Sequence, residues 1–158
     1  LFGTMGDGVL FSADREKYIE FCKRENHKTL LGYGLALSPE QLAAVDKEIA
    51  KLMSLTVPWD PPKTVKPKRP GIDKEEPMYA YKLKQEADGR LYKFTSSKFK
   101  TYFVMSTNCV LLADTIVGAA GTDILSVRGF ISPGTYQDYL DKEFERPHSL
   151  VVTKRVYQ

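Results

Sequence analysis

The sequence predicts a single domain of the α+β class, in which helices pack beside an antiparallel sheet. Several segments repeat apolar residues at spacings of three and four, as amphipathic helices do, whereas others alternate apolar and polar residues, as strands do. An Asp-Gly pair between two strand-like segments is a hairpin signal and indicates antiparallel pairing. With 158 residues, of which 42% are hydrophobic, the chain is long and apolar enough for one core. We therefore expect residues 1–158 to form one domain.

The composition excludes several classes of protein. A formal net charge of +3 is too small to indicate binding to nucleic acid, so no nucleic-acid partner is expected. No apolar run approaches the roughly 20 residues of a membrane-spanning helix. The two cysteines, Cys22 and Cys109, form neither a metal-ligand pair nor a disulfide framework, and no metal or other cofactor is expected. Because the chain begins at Leu1 without an initiator methionine, we expect a segment upstream of it.

The first third of the chain is predicted to contain a loop, a helix and a strand. The glycine-rich N-terminal residues are expected to form a loop that ends in a short apolar piece. Ser12 is expected to cap a helix over 13–25 whose inward face carries Cys22, which we interpret as a structural residue. His27 lies among charged residues just past that helix, where a solvated cation is typical. The apolar segment 30–37 then predicts a buried strand.

The next segment contains the clearest helix signal. Ser38 is the expected N-cap, Pro39 occupies the first helical position, and Gln41 completes a capping box. The helix is predicted to run to about Ser54. Its expected core-facing residues are Leu42, Val45, Ile49 and Leu52.

Residues 57–77 combine dense prolines with a cluster of lysine and arginine residues. Prolines at this density disfavour both a helix and a central strand, so we expect an extended surface loop. The basic cluster suggests an interaction protein that binds an acidic partner through this loop. The alternative is a simply solvated loop, because Trp59, at its edge, is the only aromatic residue beside these charges.

The middle of the chain predicts three strands and then a helix. Residues 79–83 alternate and predict a strand, Asp88-Gly89 forms the hairpin turn, and 91–95 form the return strand. A third strand is expected over 101–105. The apolar spacing that follows predicts a helix that begins within a residue of Cys109 and ends near a group of glycines.

The C-terminal part predicts one more helix between two extended segments. A short extended piece is expected over 124–127. Ser132-Pro133 opens a helix that ends before Pro147, because proline disfavours its continuation. Residues 148–157 are predicted to form the final strand.

The helix start at Cys109 is the main candidate for chemistry. Ser106, Thr107 and Asn108 are all favourable N-cap residues, which places the thiol in the first helical turn. Free backbone N–H groups and the positive end of the helix dipole favour the thiolate, which is the nucleophilic form. A strand, a polar turn and a cysteine at a helix start form the layout that a cysteine hydrolase of papain type needs. The competing interpretation makes Cys109 a packing residue.

A catalytic thiol needs a proton acceptor, usually a histidine, and the sequence offers two. His148 lies at the start of the predicted final strand, downstream of Cys109, which is the chain order of papain-like enzymes. His27 lies upstream, which is the order of their circularly permuted relatives. Neither histidine has a flanking motif, so each is also compatible with a solvated or structural role.

Several short motifs together resemble a known family. The stretch 33–42, the tyrosine-rich strands and the Thr107-Asn108-Cys109 helix start look like a bacterial group within the permuted branch of the NlpC-type papain-like superfamily. Members of that group have a Tyr-x-Leu segment that leads into a capped helix, and an Asn-Cys that starts the next helix. The segment 132–140 is similar to the proline-containing helix start found after the cysteine in these proteins. The likeness covers about residues 33–145.

The resemblance implies a papain-like fold and a Cys–His hydrolase or acyltransferase that acts on amide or ester bonds. Common substrates in the superfamily are cell-wall peptides, with lipids or protein amides in other branches, and a bacterial member of this kind is expected in the cell envelope or secreted. In permuted members the histidine precedes the cysteine in a short strand motif. Because that motif is absent from this sequence, either the base lies upstream of Leu1 or catalysis has been lost.

Two hypotheses for the Cys109 site follow. In the first, the chain is a cysteine hydrolase, in which Cys109 attacks a carbonyl and a histidine takes and returns the proton. The backbone N–H at Cys109, with Asn108 or Thr107 nearby, would then help to hold the oxyanion. In the second, the chain is a catalytically inactive binding domain on the same scaffold, with Cys109 buried.

Overall fold

The computed structural model describes residues 5–27, 29–66, 71, 74–103, 109–121 and 133–158, and the fold of these residues is α+β. The described helices are α1 (Arg15–Asn26), α2 (Pro39–Ser54), α3 (Tyr79–Glu86), α4 (Cys109–Gly118) and α5 (Pro133–Glu145). The described strands are β1 (Met5–Asp7), β2 (Val9–Ser12), β3 (Leu30–Leu35), β4 (Thr56–Pro58), β5 (Thr64–Val65), β6 (Glu76–Pro77), β7 (Arg90–Phe94), β8 (Thr101–Phe103) and β9 (Val151–Tyr157).

Every strand pairing in these ranges is antiparallel, as the sequence predicts. The largest sheet has three strands in the order β2-β7-β4, so that β2 lies at one edge and β4 at the other. Three two-stranded ladders, β1-β8, β3-β9 and β5-β6, accompany it. The predicted N-terminal loop therefore contains two short strands, because β1 finds its partner far along the chain in β8.

The helix α1 begins at Arg15, and its cap is not the predicted residue Ser12. Ser12 pairs with Arg90 as the last residue of β2, and the cap is Asp14, whose carboxylate accepts a hydrogen bond of 2.9 Å from the Lys17 N–H. The predicted structural role of Cys22 is confirmed by its burial, with only 2% of the residue exposed.

The capping box of α2 is confirmed. The Ser38 hydroxyl accepts from the Gln41 N–H at 3.1 Å, and the Gln41 side chain accepts from the Ser38 N–H at 2.9 Å. The predicted core face is wrong at Leu42 and Ile49, which are 52% and 39% exposed. The face of α2 that packs on α4 instead contains Leu52 and Gln41. Leu52 is buried, and the side-chain amide of Gln41 donates a hydrogen bond to the Ala120 carbonyl.

The predicted strand over 79–83 is wrong, since these residues begin α3. Tyr79 and Leu83 are four residues apart and share a helical face, and that face packs on α1. Leu83 is buried, and the Tyr79 ring meets the Phe21 ring edge-on at 5.3 Å. Long-range packing has therefore overridden the alternating pattern. Asp88-Gly89 consequently joins α3 to β7 and is not a hairpin turn.

Several other segments differ from the sequence prediction. The stretch 57–77 contains the end of β4 and the short pair β5-β6. Of its described prolines, Pro58 and Pro77 end strands, and Pro61 and Pro62 lie between β4 and β5. The final strand begins at Val151, and His148 lies before it in a turn with a left-handed backbone, φ 61°. The predicted extended piece 124–127 lies outside the described residues.

Two apolar clusters hold these elements together. The first consists of Phe21 and Cys22 from α1 with Leu83 and Ala87 at α3. The second consists of Leu52, Phe94 and Phe99, against which α4 packs. The second cluster lies on the face of the three-stranded sheet that carries Leu10 and Phe94. It fixes the position of α4, and with it the position of Cys109.

The carboxylate of Asp141 ties α5 to the β3-β9 ladder. It accepts hydrogen bonds from Lys154 Nζ at 2.7 Å and from the Tyr33 hydroxyl at 2.6 Å. The bond from Lys154, followed by that from Tyr33, holds the pKa of Asp141 below its ordinary value. The folded chain therefore binds this proton less readily than the unfolded chain.

We expect the contribution of Asp141 to stability to be complete at neutral pH. It should be lost as the pH falls from the ordinary carboxyl range through the lowered pKa of Asp141. Urea unfolding of the wild type and of Asp141→Asn at neutral and acidic pH measures this difference. The free energy of unfolding of the variant should depend less steeply on pH, and equal slopes would contradict the assignment.

Candidate functional site

Cys109 is the first residue of α4 and is exposed, in contrast to the buried Cys22. The helix packs through Leu111, Leu112 and Ile116 against the cluster of Leu52, Phe94 and Phe99. A helix over Cys109–Gly118 agrees with the prediction of a helix in this segment, whereas the hypothesis that Cys109 is buried is wrong. Cys109 therefore presents an accessible thiol on α4.

The thiol borders a small apolar groove of about 130 Å³. One wall is the edge strand β2, through Val9, Leu10 and Phe11, and another is formed by Phe99 and Tyr102. Leu112, one helical turn beyond Cys109, closes the side towards α4. A ligand in this groove would contact hydrocarbon on several sides and the sulfur on one.

Two tyrosine hydroxyls are within electrostatic range of this sulfur. Burial raises the pKa of Tyr102, and a negative charge on Cys109 raises it further. The pKa of Tyr18 is raised by burial, by its hydrogen bond with Cys22 and, more weakly, by Cys109. Both phenols therefore remain neutral O–H donors when Cys109 carries a charge, and neither adds a second anion to the groove.

The two histidines lie outside the helices and strands and are exposed. His27 is the C-cap of α1 with a left-handed backbone, φ 49°, and His148 precedes β9. Throughout the described ranges, no hydrogen bond or ion pair joins either imidazole to Cys109. The remaining predicted site residues, Thr107 and Asn108, lie outside those ranges. Of the predicted site, the structure therefore places Cys109 in a groove and does not assemble a Cys–His pair.

A larger cavity of about 500 Å³ lies on the other face of the three-stranded sheet. Its walls come from β2 and β7, from Trp59 after β4 and from α3. The apolar residues that line this cavity include Val9, Phe11, Leu91, Trp59, Tyr79 and Leu83. At its rim, Lys93 Nζ lies 4.5 Å from the centre of the Trp59 ring and 3.2 Å from the Asp7 carboxylate.

Sequence patterns did not indicate this cavity, because it depends on α3. In a strand, Tyr79 and Leu83 would share a face with Tyr81, and Ala80 would lie on the opposite face, whereas in α3 Ala80 lines the cavity with Tyr79 and Leu83. The signal that could have found it is the four-residue spacing of Tyr79 and Leu83, together with the single tryptophan of the chain at position 59.

Two further properties concern metals and membranes. Within the described ranges, no three His, Cys, Asp or Glu side chains are grouped so that they could hold a metal ion. Among the helices that the structure describes, none combines the length and hydrophobicity needed to cross a bilayer.

Comparison of the chain with protein-family models, with curated proteins and with solved structures found no match. The features of the structure that bear on function are therefore the groove beside Cys109, the larger cavity and the edge strand between them.

Proposed function

We propose that this chain is a papain-like cysteine hydrolase domain, in which Cys109 attacks the carbonyl carbon of an amide or ester. The observation that supports it most is the position of Cys109, which is exposed at the first residue of α4 and borders an apolar groove. Free N–H groups at a helix start can stabilise the oxyanion that forms when the sulfur attacks. Cell-wall peptides are the substrate class that the resemblance of the sequence implies.

The chemistry that this position allows is a two-step acyl transfer. The thiol proton of Cys109 passes to the base, Sγ forms a bond to the carbonyl carbon, and the carbonyl electrons move to its oxygen, where backbone N–H groups of the helix start can stabilise the charge. Collapse of this intermediate breaks the bond to the amine or alcohol, which leaves with the proton from the base. Water then attacks the thioester and gives a proton to the base, and collapse of the second intermediate returns that proton to the sulfur, which releases the carboxylic acid and restores the thiol.

This mechanism requires a base within hydrogen-bond reach of the sulfur in the reacting complex. In this chain the candidates are His148, in a turn before β9, and His27, at the C-cap of α1, and both are exposed. A turn before a strand, such as that of His148, can adjust with less loss of packing than a core element. We therefore assign His148 as the first base to test and His27 as the second.

The second candidate function is a catalytically inactive domain that binds a ligand. The observation that favours it is the absence, within the described residues, of a bond between Cys109 and either imidazole. The cavity of about 500 Å³ is in the size range of ligand pockets and has a mainly apolar wall.

Alkylation by iodoacetamide at neutral pH tests whether Cys109 is the accessible, reactive thiol that the hydrolase requires. We expect Cys109 to react more than about tenfold faster than Cys22, because reaction at Cys22 requires local opening and each ~1.4 kcal/mol of opening costs a factor of ten. Mass spectrometry of the digested protein gives both rates. In urea the two rates should converge, which controls for intrinsic differences between the two sites.

The variants His148→Gln and His27→Gln then locate the base. The hydrolase proposal predicts that one of them slows both the alkylation of Cys109 and the release of nitrophenolate from p-nitrophenyl acetate, whereas the other matches the wild type. Cys109→Ser should abolish nitrophenolate release above the rate in buffer. Equal, slow alkylation of both cysteines would remove the main support for a hydrolase and leave the binding domain.

A further inference from the structure

We propose that the outer edge of β2 binds an extended polypeptide segment as an added strand, whose apolar side chains enter the cavities on the two faces of that edge. The proposal depends on three features: the hydrogen-bond pattern of β2, the two cavities that share its residues, and the near absence of net charge along them. It assigns a binding mode and a class of ligand to a surface that includes Cys109.

The first feature is the direction of the backbone groups of β2. The Phe94 N–H donates to the Gly8 carbonyl at 3.0 Å, and the Trp59 N–H donates to the Leu91 carbonyl at 2.9 Å. Even-numbered residues of β7 therefore bond to β2, and odd-numbered residues bond to β4. It follows that Val9 and Phe11 point their N–H and C=O groups away from the sheet.

These outward groups form an unused half of a β-ladder. Within the part of the chain that the structure describes, no hydrogen bond engages the backbone of Val9 or Phe11 on that side. Val9 and Phe11, two residues apart, each offer one N–H donor and one C=O acceptor along this edge. A polypeptide backbone repeats its N–H and C=O groups with the same period, whereas a lipid chain offers no such groups.

The second feature is the pair of cavities that flank this edge. The groove of about 130 Å³ beside Cys109 lies on the face of Leu10 and Phe94. The cavity of about 500 Å³ lies on the opposite face, and Val9 and Phe11 border both. Because successive side chains of a strand point to opposite faces, neighbouring side chains of an added strand would enter one cavity and then the other.

The third feature is the chemistry of the walls, which selects apolar side chains. The charged residues on these walls are Asp7 and Lys93, and they pair with each other at 3.2 Å. The groove beside Cys109 has a wall of aromatic and aliphatic residues, among them Phe99, Tyr102 and Leu112. An extended segment with consecutive aliphatic or aromatic residues therefore matches both faces.

The added strand deepens the proposed function, and it rests on that function in one respect, namely that the bound segment is a substrate. A strand on β2 that fills the groove places one of its side chains against the wall that includes Cys109, so the segment lies beside the nucleophile. The binding of the segment to Val9 and Phe11 does not depend on the reactivity of the sulfur, so the two proposals can fail separately.

Amide hydrogen exchange followed by NMR tests the binding directly. The probe is the peptide acetyl-Leu-Phe-Leu-amide, and the control is the same peptide with its backbone amides N-methylated. We expect the exchange of the Val9 and Phe11 N–H groups to slow about 100-fold when the free peptide is at ~100 times its Kd. The methylated peptide should not slow it, since it has lost the donors that face β2.

Two substitutions at one position provide the matched variants. Val9→Pro removes only an outward N–H and is compatible with an edge strand, whereas Val9→Ala keeps that N–H. We expect Val9→Pro to weaken peptide binding about tenfold relative to Val9→Ala. If circular dichroism shows that Val9→Pro does not fold, the methylated peptide gives the same test on the wild type.

The outcomes separate the two proposals. Slowed exchange at Val9 and Phe11 with slow alkylation of Cys109 supports the added strand and removes the hydrolase. Fast alkylation of Cys109 with unchanged exchange at Val9 and Phe11 overturns the added strand and leaves the nucleophile. Equal effects of the plain and methylated peptides also overturn it. If amide exchange at Val9 and Phe11 slows as the protein concentration rises, without peptide, the edge pairs with a second copy of the chain. That result would also overturn the added strand.

Discussion

Replacing Phe21 with alanine is expected to lower the free energy of unfolding by about 3–5 kcal/mol. Phe21 is completely buried, in the cluster that joins α1 to α3. Its ring meets the Tyr79 ring at 5.3 Å and an angle of 65°, an edge-on contact that the alanine variant would lose. The loss combines the burial of a large apolar side chain with the cost of the cavity that remains.

Phe144→Ala is the matched control for this prediction. Phe144 lies on α5 and is 40% exposed, so the same change of side chain should cost less than about 1 kcal/mol there. Urea unfolding followed by far-UV circular dichroism gives both values. Similar losses in the two variants would show that the α1-α3 cluster is not a principal core. The substitution Phe21→Ala should also disturb the larger cavity, because Phe21 contacts Tyr79, which forms part of the cavity wall with Leu83.

Local signals predicted the elements that depend on local physics. The start of α2 could be predicted because Ser38, Pro39 and Gln41 satisfy backbone groups within the same turn. The helix over Cys109–Gly118 could be predicted from the helical spacing of apolar residues after Cys109. In both cases the signal lies within a few residues, so it can be recognised in the sequence.

The elements that sequence patterns missed depend on distant partners. The segment 79–83 is compatible with a strand or a helix, and the packing of Tyr79 and Leu83 on α1 selects the helix. β1 is a strand because it pairs with β8, which lies far along the chain. The exposed position of Leu42 likewise follows from the way α2 lies on α4, which the periodicity of α2 does not specify.

The candidate site divides in the same way. The position of Cys109 at a helix start is a local property, and it was predictable. Which groups surround its sulfur is a tertiary property: β2, Phe99 and Tyr102 meet Cys109 only in the folded chain. Chain order suggested His148 or His27 as its partner, but order alone does not bring an imidazole to a thiol. The proton acceptor therefore stays a prediction that the two histidine variants test.

Gly8→Ala is expected to disrupt the groove beside Cys109 from a position that carries no side chain. Gly8 joins β1 to β2 and is buried, and a Cβ there would lie 1.7 Å from the Phe99 carbonyl oxygen and 2.9 Å from its carbon. Since these are backbone atoms, no rotamer change relieves the clash. The Gly8 N–H donates to the Lys100 carbonyl at 2.9 Å, so separating the two segments also breaks a hydrogen bond.

We therefore expect Gly8→Ala to lower the free energy of unfolding by about 3 kcal/mol, near the upper end of the costs of overpacking. Gly6→Ala is the control, because a Cβ at Gly6 meets no atom of the described residues within 4 Å and should change stability by less than about 0.5 kcal/mol. Urea unfolding measured by Trp59 fluorescence compares the two. Because displacement of Phe99 alters the wall next to Cys109, Gly8→Ala should also reduce peptide protection of the Val9 and Phe11 amides. Equal stability of the two variants would mean that the chain at Phe99 moves aside at little cost, and that the groove is not held in one shape by its backbone.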